Sequence, residues 1–175
     1  MEKELPRRKV IRLNDYDYSS PGAYFVTICN KDRRNSFWTE GFITDKVEWI
    51  TVGANCVRPQ NLPLSRNGEI VRDELEKWNT TYSAVSLNSY VIMPNHIHII
   101  VSIYSNEYGR PQVAPTVDRM VKQFKGAVTK KIGISIWQKS YMEHVIRNEK
   151  DYNIRLNYIL ENPIRWSLDE LYIEE

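Results

Sequence analysis

The run VIMPNHIHIIVSI, residues 91–103, decides how this chain is read. It is apolar almost throughout and is interrupted by Pro94, yet it carries two of the chain's three histidines, His96 and His98. In an extended strand, residues i and i+2 point to one face and the residue between them to the other. His96 and His98 therefore share a face with Ile100 and Ser102, while Ile97, Ile99 and Val101 supply the opposite one. The second face is uniformly apolar and is expected to lie under helices. The first is mixed, as befits a sheet face open to a ligand. Two neutral imidazoles side by side suit joint metal coordination, because each offers one nitrogen lone pair. The same pair also fits two histidines that only hydrogen-bond to their neighbours at a sheet surface.

Outward from this run the pattern alternates between strand and helix. Residues 87–92 and 95–103 read as neighbouring strands around Pro94. Ser19-Ser20-Pro21-Gly22 reads as a turn, followed by a strand over 23–30 rich in β-branched and aromatic residues. The polar turn at 31–35 predicts a hairpin partner over 36–44. Within 45–66, EWITVGANCV predicts one short strand, and the rest reads as loop broken by Pro59 and Pro63. Ile70, Val71, Leu75 and Trp78 recur at helical spacing and predict a helix from Glu69 to about Thr80. Residues 107–115 read as a loop. Thr116 can cap a helix whose apolar stripe is Val117, Val121, Phe124 and Val128. In 134–147 a short extended segment is expected at the start. Asn148 can cap the last helix, which Pro163 should end. Short connections between strands point to an α+β fold with a largely antiparallel sheet.

At 175 residues the simplest organisation is a single domain spanning 1–175, with residues 1–20 as a basic, extended N-terminal arm. Apolar and charged fractions of 42% and 26% are those of an ordinary globular protein. A net charge of +2 permits nucleic-acid binding without arguing for it, so charge placement matters more than its sum. Cys29 and Cys56 are isolated, with no CxxC pair for a zinc knuckle, and fit two reduced thiols. The charged N-terminus has no apolar signal-peptide core, and no run approaches the ~18 apolar residues of a membrane span. A cytoplasmic protein without membrane contact is the expectation. No internal repeats or low-complexity tracts occur.

Two helices carry further candidates. On the last, Tyr152, Leu156, Ile159 and Leu160 form the core-facing stripe, and Tyr158 falls roughly two-thirds of a turn away. Its neighbours there are Asp151, Arg155 and Asn162, and Tyr158 and Asn162 stand one above the other at i and i+4. That places a phenol on a polar face beside an amide oxygen able to bind a cation. A surface tyrosine without a role fits the same pattern. On the Thr116 helix, Arg119, Lys122, Lys125 and Lys130 lie off or near the edge of the apolar stripe, with Lys131 at the far end. They read either as a solvated face or as contacts to phosphates.

Taken together, NHIHIIV, WQKSYMEHVIRNEKDYN and LNYILENP resemble the REP-associated tyrosine transposases. These belong to the HUH single-tyrosine transposases, named for histidine, bulky hydrophobic, histidine. The resemblance runs from about Gly22 to Trp166, with no clear match over 45–66. It implies a ferredoxin-like or RRM-like antiparallel sheet with the HUH strand central and helices packed on one face. It also implies cleavage and rejoining of single-stranded DNA, often beside a hairpin. By position, His96-Ile97-His98 matches the HUH motif and Tyr158 the nucleophile. Asn162 matches the polar residue that completes the metal site with His96 and His98, and Arg155 joins the basic residues as a possible DNA contact. His144 matches a family position to which no chemical role is attached. The implied cofactor is a divalent ion, Mg²⁺ or Mn²⁺, and the implied partner is single-stranded or hairpin DNA. Relatives include monomers and homodimers that exchange the tyrosine helix, and the sequence does not choose between them.

Two other readings compete. A domesticated relative would bind hairpin DNA without transposing, but would ordinarily lose a catalytic residue, and all the candidates are present. An unrelated HxH metallohydrolase would need further histidines or carboxylates converging on its metal. Only His144 is left, with no HxxE or DxH cluster.

Overall fold

A computed structural model describes residues 20–40, 48–52, 56–59, 61–104 and 116–173, with the backbone alone at 49–52 and 56. The expected N-terminal arm up to residue 19 and the 107–115 loop lie outside the described residues. Six strands form one sheet in the order β2-β3-β4-β5-β1-β6. These are β1 (Gly22–Cys29), β2 (Trp49–Val52), β3 (Cys56–Pro59), β4 (Val85–Ile92), β5 (His96–Ile103) and β6 (Met142–Ile146). The helices are α1 (Arg66–Glu76), the short α2 (Trp78–Thr81), α3 (Val117–Ile132) and α4 (Glu149–Glu161).

The chain order β1–α1–β4–β5–α3–β6 is a βαββαβ unit. Its strands stand as β4-β5-β1-β6 with every neighbouring pair antiparallel, which is the ferredoxin-like arrangement. The histidine strand β5 is central, between β4 and β1. The β2–β3 hairpin extends the β4 edge and joins it parallel through Val57 and Ser89.

Alternation in β5 places its two faces as expected. Ile97, Ile99, Val101 and Ile103 are buried with Tyr24, Val26 and Ile28 of β1. They lie against Val71 and Leu75 of α1 and Val117, Met120, Val121, Phe124 and Val128 of α3. Each such side chain taken fully out of water contributes about 1.5–3 kcal/mol, so this layer is the main source of stability. Helices are not confined to that face, however. α4 crosses the histidine face, where Ile159, Tyr152 and Leu156 pack on Phe25, Val91, Met93 and Ile100. The reason lies in the neighbouring strands. Phe25 and Val91 bring apolar groups onto the histidine face, and these need a cover that β5 alone does not reveal.

Three local expectations differ. Residues 36–40 do not pair with β1, whose two edges are already filled by β5 and β6; instead Trp38 bridges Leu64. The rest of the segment, 41–44, lies outside the described residues. Residues 49–59 hold two short strands rather than one, the second running into Pro59, which an edge hairpin tolerates. In 134–147 the expected extended start is reduced to an isolated antiparallel bridge from Trp137 to Asn30, and the longer strand, β6, lies at the end.

Helix caps fall where the sequence placed two of them. Thr116 accepts from Arg119 N–H and Asn148 from Asp151 N–H. α1 begins earlier than expected, capped by Ser65, because its Asn67-Gly68 pair mimics a loop. Gly68 is there for space: a Cβ would lie 2.1 Å from the Phe37 carbonyl oxygen, a backbone atom that cannot swing aside. Gly68→Ala should therefore cost about 2–3 kcal/mol and lower the melting temperature by roughly 5–10 °C. An unchanged thermal melt would mean that these two segments do not meet this way. Among the described residues no helix is long and apolar enough to cross a membrane.

Candidate active site and metal centre

The site begins at the turn between β4 and β5. Asn95 donates its side-chain amide to the carbonyls of Arg33 and Leu171, at 3.0 and 2.8 Å, which fixes its oxygen toward His96. That oxygen lies 2.8 Å from His96 Nδ1, so Nδ1 carries the proton and Nε2 is left as a lone pair. His98 Nδ1 meets the buried Thr27 hydroxyl at 2.8 Å, and the two Nε2 atoms face each other at 2.9 Å. Both side chains are enclosed, with exposures of 0% and 3%, and Trp166 leans over His96 at 5.8 Å between ring centroids.

Burial decides their charge. It pushes His96 down to about 3, and it holds His98 well below the ordinary imidazole range, helped by His96 beside it. Both rings are therefore neutral at pH 7. The Thr27 hydroxyl then chooses between two arrangements. If it donates to His98 Nδ1, His98 Nε2–H donates to His96. If it accepts from Nδ1–H, both Nε2 lone pairs face one point, a pairing that only a cation stabilises. Their separation suits neighbouring ligands of one ion with metal–nitrogen distances of about 2.1 Å.

Oxygen donors stand close by. His96, His98 and Asp169 place one ligand atom each within 4.8 Å of one another, a cluster able to hold a metal ion. Asn162 is buried at the end of α4. Its amide nitrogen donates to Asp169 Oδ2 at 2.9 Å, and its Oδ1 is buried without a hydrogen-bond partner. Two neutral imidazoles and a carboxylate, with an orphaned amide oxygen on the residue that donates to that carboxylate, fit a divalent ion with mixed nitrogen and oxygen ligands.

Tyr158 lies over this group. Its ring meets His98 edge-on at 5.0 Å and Phe25 at 6.1 Å, and its hydroxyl donates to Asp169 Oδ2 at 3.2 Å. At 42% exposure it is reachable from outside. Partial burial, then the Asp169 charge, push its phenol up to about 12. A cavity of ≈ 320 Å³, open to the outside, borders Tyr158, Asn162, Arg165, Leu168 and Asp169.

The sequence-predicted residues divide by face. His96, His98, Tyr158 and Asn162 come together within one chain. Arg155 and His144 lie on the same side, next to Phe25. The α3 residues do not join them, since α3 packs on the opposite face of the sheet. There Lys122 pairs with Asp118, and Lys131 with Glu74. Lys125 donates to the carbonyls of Gln138 and Ser140, and burial presses its ammonium down to about 8. Cys29 sits beside His96 across β1 and β5, a buried free thiol that desolvation pushes up and so keeps unreactive. The Cys56 side chain lies outside the described residues.

Sequence reasoning missed Asp169, Thr27 and Asn95. Asp169 belongs to an acidic stretch that reads as solvated tail, and nothing in its spacing ties it to a strand some seventy residues earlier. Asn95 could have been found: an amide directly before a histidine in a tight turn is well placed to set its tautomer.

No protein-family model matches the chain. It is 33% identical to an uncharacterized protein of Haemophilus influenzae, over 97% of this chain and 96% of that one. It is 24% identical, over 85% of this chain and 74% of the other, to an H. influenzae protein provisionally named a REP-associated tyrosine transposase. With the REP-associated tyrosine transposase of Escherichia coli K12 it shares 34% identity over 45% of this chain and 44% of that one. Among solved structures, a REP-associated tyrosine transposase bound to a REP hairpin matches with a TM-score of 0.59 and 21% identity. That match covers 91% of this chain and 76% of the other, a likeness of fold.

Proposed function

We propose that the chain is a REP-associated tyrosine transposase, like the relatives so named that it resembles, and that it cuts and rejoins single-stranded DNA at or near hairpins through a 5′-phosphotyrosine on Tyr158. One observation carries the reading: a helix and a strand far apart in sequence bring a phenol to 5.0 Å from a histidine whose Nε2 faces a second histidine's. The reading takes the chain as a single domain, 1–175, with His96, His98 and Tyr158 all contributed by one chain.

The residues divide the work. His96 and His98 would hold a divalent ion, with oxygen from Asp169 or Asn162; Mn²⁺ suits this mixed set somewhat better than Mg²⁺. Bound there, the ion would polarise the scissile phosphate and offset its developing charge. Tyr158 Oη forms the bond to phosphorus as the bond from phosphorus to the 3′ oxygen breaks. The phenol loses its proton, and Asp169 Oδ2, already its hydrogen-bond acceptor, is placed to take it. The departing 3′ oxygen gains a proton and becomes a hydroxyl. Because the phosphotyrosine keeps the energy of the phosphodiester, that hydroxyl or another can attack and reseal without ATP.

The test is to incubate the protein with labelled single-stranded DNA bearing hairpins, with Mn²⁺, Mg²⁺ or chelator, and to run a denaturing gel. A metal-dependent shifted band, with the nucleotide mapped to Tyr158 by mass spectrometry of the digest, is the expected result. Tight hairpin binding with no band under either ion would favour a domesticated DNA-binding module instead.

A further inference from the structure

Beside the tyrosine stands a second cluster that the cleavage chemistry does not use. Asp151, Arg155, Tyr158 and Asn162 recur at i, i+4, i+7 and i+11 along α4, so they share one face. Below them, Phe25 is the common neighbour. Its ring stacks on His98 at 5.2 Å, meets Tyr158 at 6.1 Å and carries the Arg155 guanidinium at 5.5 Å. A cation over an aromatic face is held without being neutralised.

Asp151 is the polar partner of Arg155 among the described residues, and the contact is loose: 3.5 Å from Nε to Oδ1, with Nε buried and making no hydrogen bond. An arginine settled in an ion pair would use its fork for two short bonds to the carboxylate. Here the carboxylate is engaged elsewhere. His144 Nε2 lies 3.0 and 2.7 Å from its two oxygens, and the Arg147 N–H donates to it at 3.3 Å. The hydrogen bond from His144 also keeps Asp151 ionised, its carboxyl below the usual range. Arg155 is thus anchored by charge, one ring away from His98 and Tyr158, with most of its N–H donors making no hydrogen bond among the described residues and about a third of its side chain exposed.

Resting on the strand-cleavage reading, we propose that Arg155 binds the phosphodiester next to the one that Tyr158 attacks, and that His144, through Asp151, positions it. A strand laid across Tyr158 brings a further phosphate within about one nucleotide on each side, spaced by roughly 3.4 Å of rise or more. The planar guanidinium grips two phosphate oxygens at once, which an ammonium does not. His144 is a positioning residue: by occupying the carboxylate it prevents Asp151 from closing on Arg155 and leaves the fork free for DNA.

The experiment first maps the linkage cut by the wild-type protein. Binding is then measured in the Tyr158→Phe background, so that no covalent step intrudes, on strands carrying one neutral methylphosphonate at successive linkages around the cut. Adding Arg155→Gln should weaken binding to the unmodified strand about tenfold and reduce the salt dependence by about one released counterion. At one linkage adjacent to the cut, the methylphosphonate should abolish the difference between the two proteins. Arg155→Lys should restore part of the affinity, and His144→Ala should lose part of it at that same linkage alone. An equal Arg155→Gln loss at every neutral linkage, or no loss at all, overturns the assignment and leaves the cleavage reading intact. A wild-type protein that forms no adduct, with a Tyr158→Phe protein that binds no strand, removes the cleavage reading and this proposal with it.

Discussion

Tyr158→Phe is expected to bind hairpin DNA as wild type does and to form no covalent adduct, a loss of about 10⁴-fold or more in the cleavage rate. Little else changes with the substitution. The phenyl ring keeps the edge contacts to His98 and Phe25, and the hydroxyl's hydrogen bond to Asp169 at 3.2 Å, which is removed, is solvent-exposed. A solvent-exposed bond of this kind contributes on the order of 1 kcal/mol to stability, so the fold should survive. With the phenol pushed up to about 12, the phenolate fraction at pH 7 is about one part in 10⁵. The resting nucleophile is therefore a neutral phenol, and its proton has to leave as it attacks. Phenylalanine has neither oxygen nor proton to contribute. The two quantities are read separately, adduct on a denaturing gel and affinity by fluorescence anisotropy. Undiminished adduct in the variant would hand the role to another nucleophile and sink the Tyr158 assignment.

The fold was legible where local pattern and global packing agree. The period-2 alternation of β5 gave its two faces, because a central strand has to satisfy a helix layer along its whole apolar side. The caps at Thr116 and Asn148 were legible because a hydroxyl or amide at that position satisfies helix N–H groups whatever the rest of the chain does. What local pattern could not give was pairing. The polar turn at 31–35 suggested a hairpin, but the neighbours of β1 come from residues 96–103 and 142–146. Long-range strand choice is set by which edges remain free in the assembled sheet. The α4 cover over the histidine face was hidden for a similar reason, since it answers to Phe25 and Val91 rather than to anything within β5.

The site divides along the same line. The histidine pair and the Tyr158–Asn162 pair are short-range spacings within one strand and one helix, and each could be read on its own. Their meeting could not; it was supplied by resemblance and then found in the geometry. Asp169 shows the cost of reading charge by composition. In the sequence it belongs to an acidic run, whereas in the fold it accepts from Tyr158, Asn162 and the backbone of Leu171. The lysines of α3 err in the other direction. Their positions on the helical wheel are right, but a wheel does not say which side of a sheet the helix will take.

Acid should unfold the ion-free protein earlier than it unfolds a variant lacking the buried imidazole, and this is the largest stability effect expected of the site. His96 titrates at about 3 when folded and near 6.5 when unfolded, and burial lowers His98 in the same direction. Between those values the unfolded chain takes up protons that the folded chain refuses. Stability is thus full above about pH 6.5 and falls as pH drops toward 3, by about 1.4 kcal/mol per unit for His96, with His98 acting in the same direction. For His96 alone the whole window is worth on the order of 5 kcal/mol, a large share of the 5–15 kcal/mol typical of a domain. Melting temperatures from pH 8 to 4.5 should therefore fall more steeply in wild type than in His96→Gln, and the difference between the two removes the contribution of the carboxylates. The same neutral nitrogens that make the fold acid-sensitive make it ready for an ion. Mn²⁺ at a hundredfold over its dissociation constant should add about 2.7 kcal/mol, and His98→Ala should lose that increment even where it still folds. Equal pH slopes in wild type and His96→Gln would mean that the histidines are not enclosed in solution. Equal stabilisation by Mn²⁺ in wild type and His98→Ala would place any bound ion elsewhere. The two results are independent, because the first reads burial without an ion and the second reads coordination at a pH where both rings are neutral.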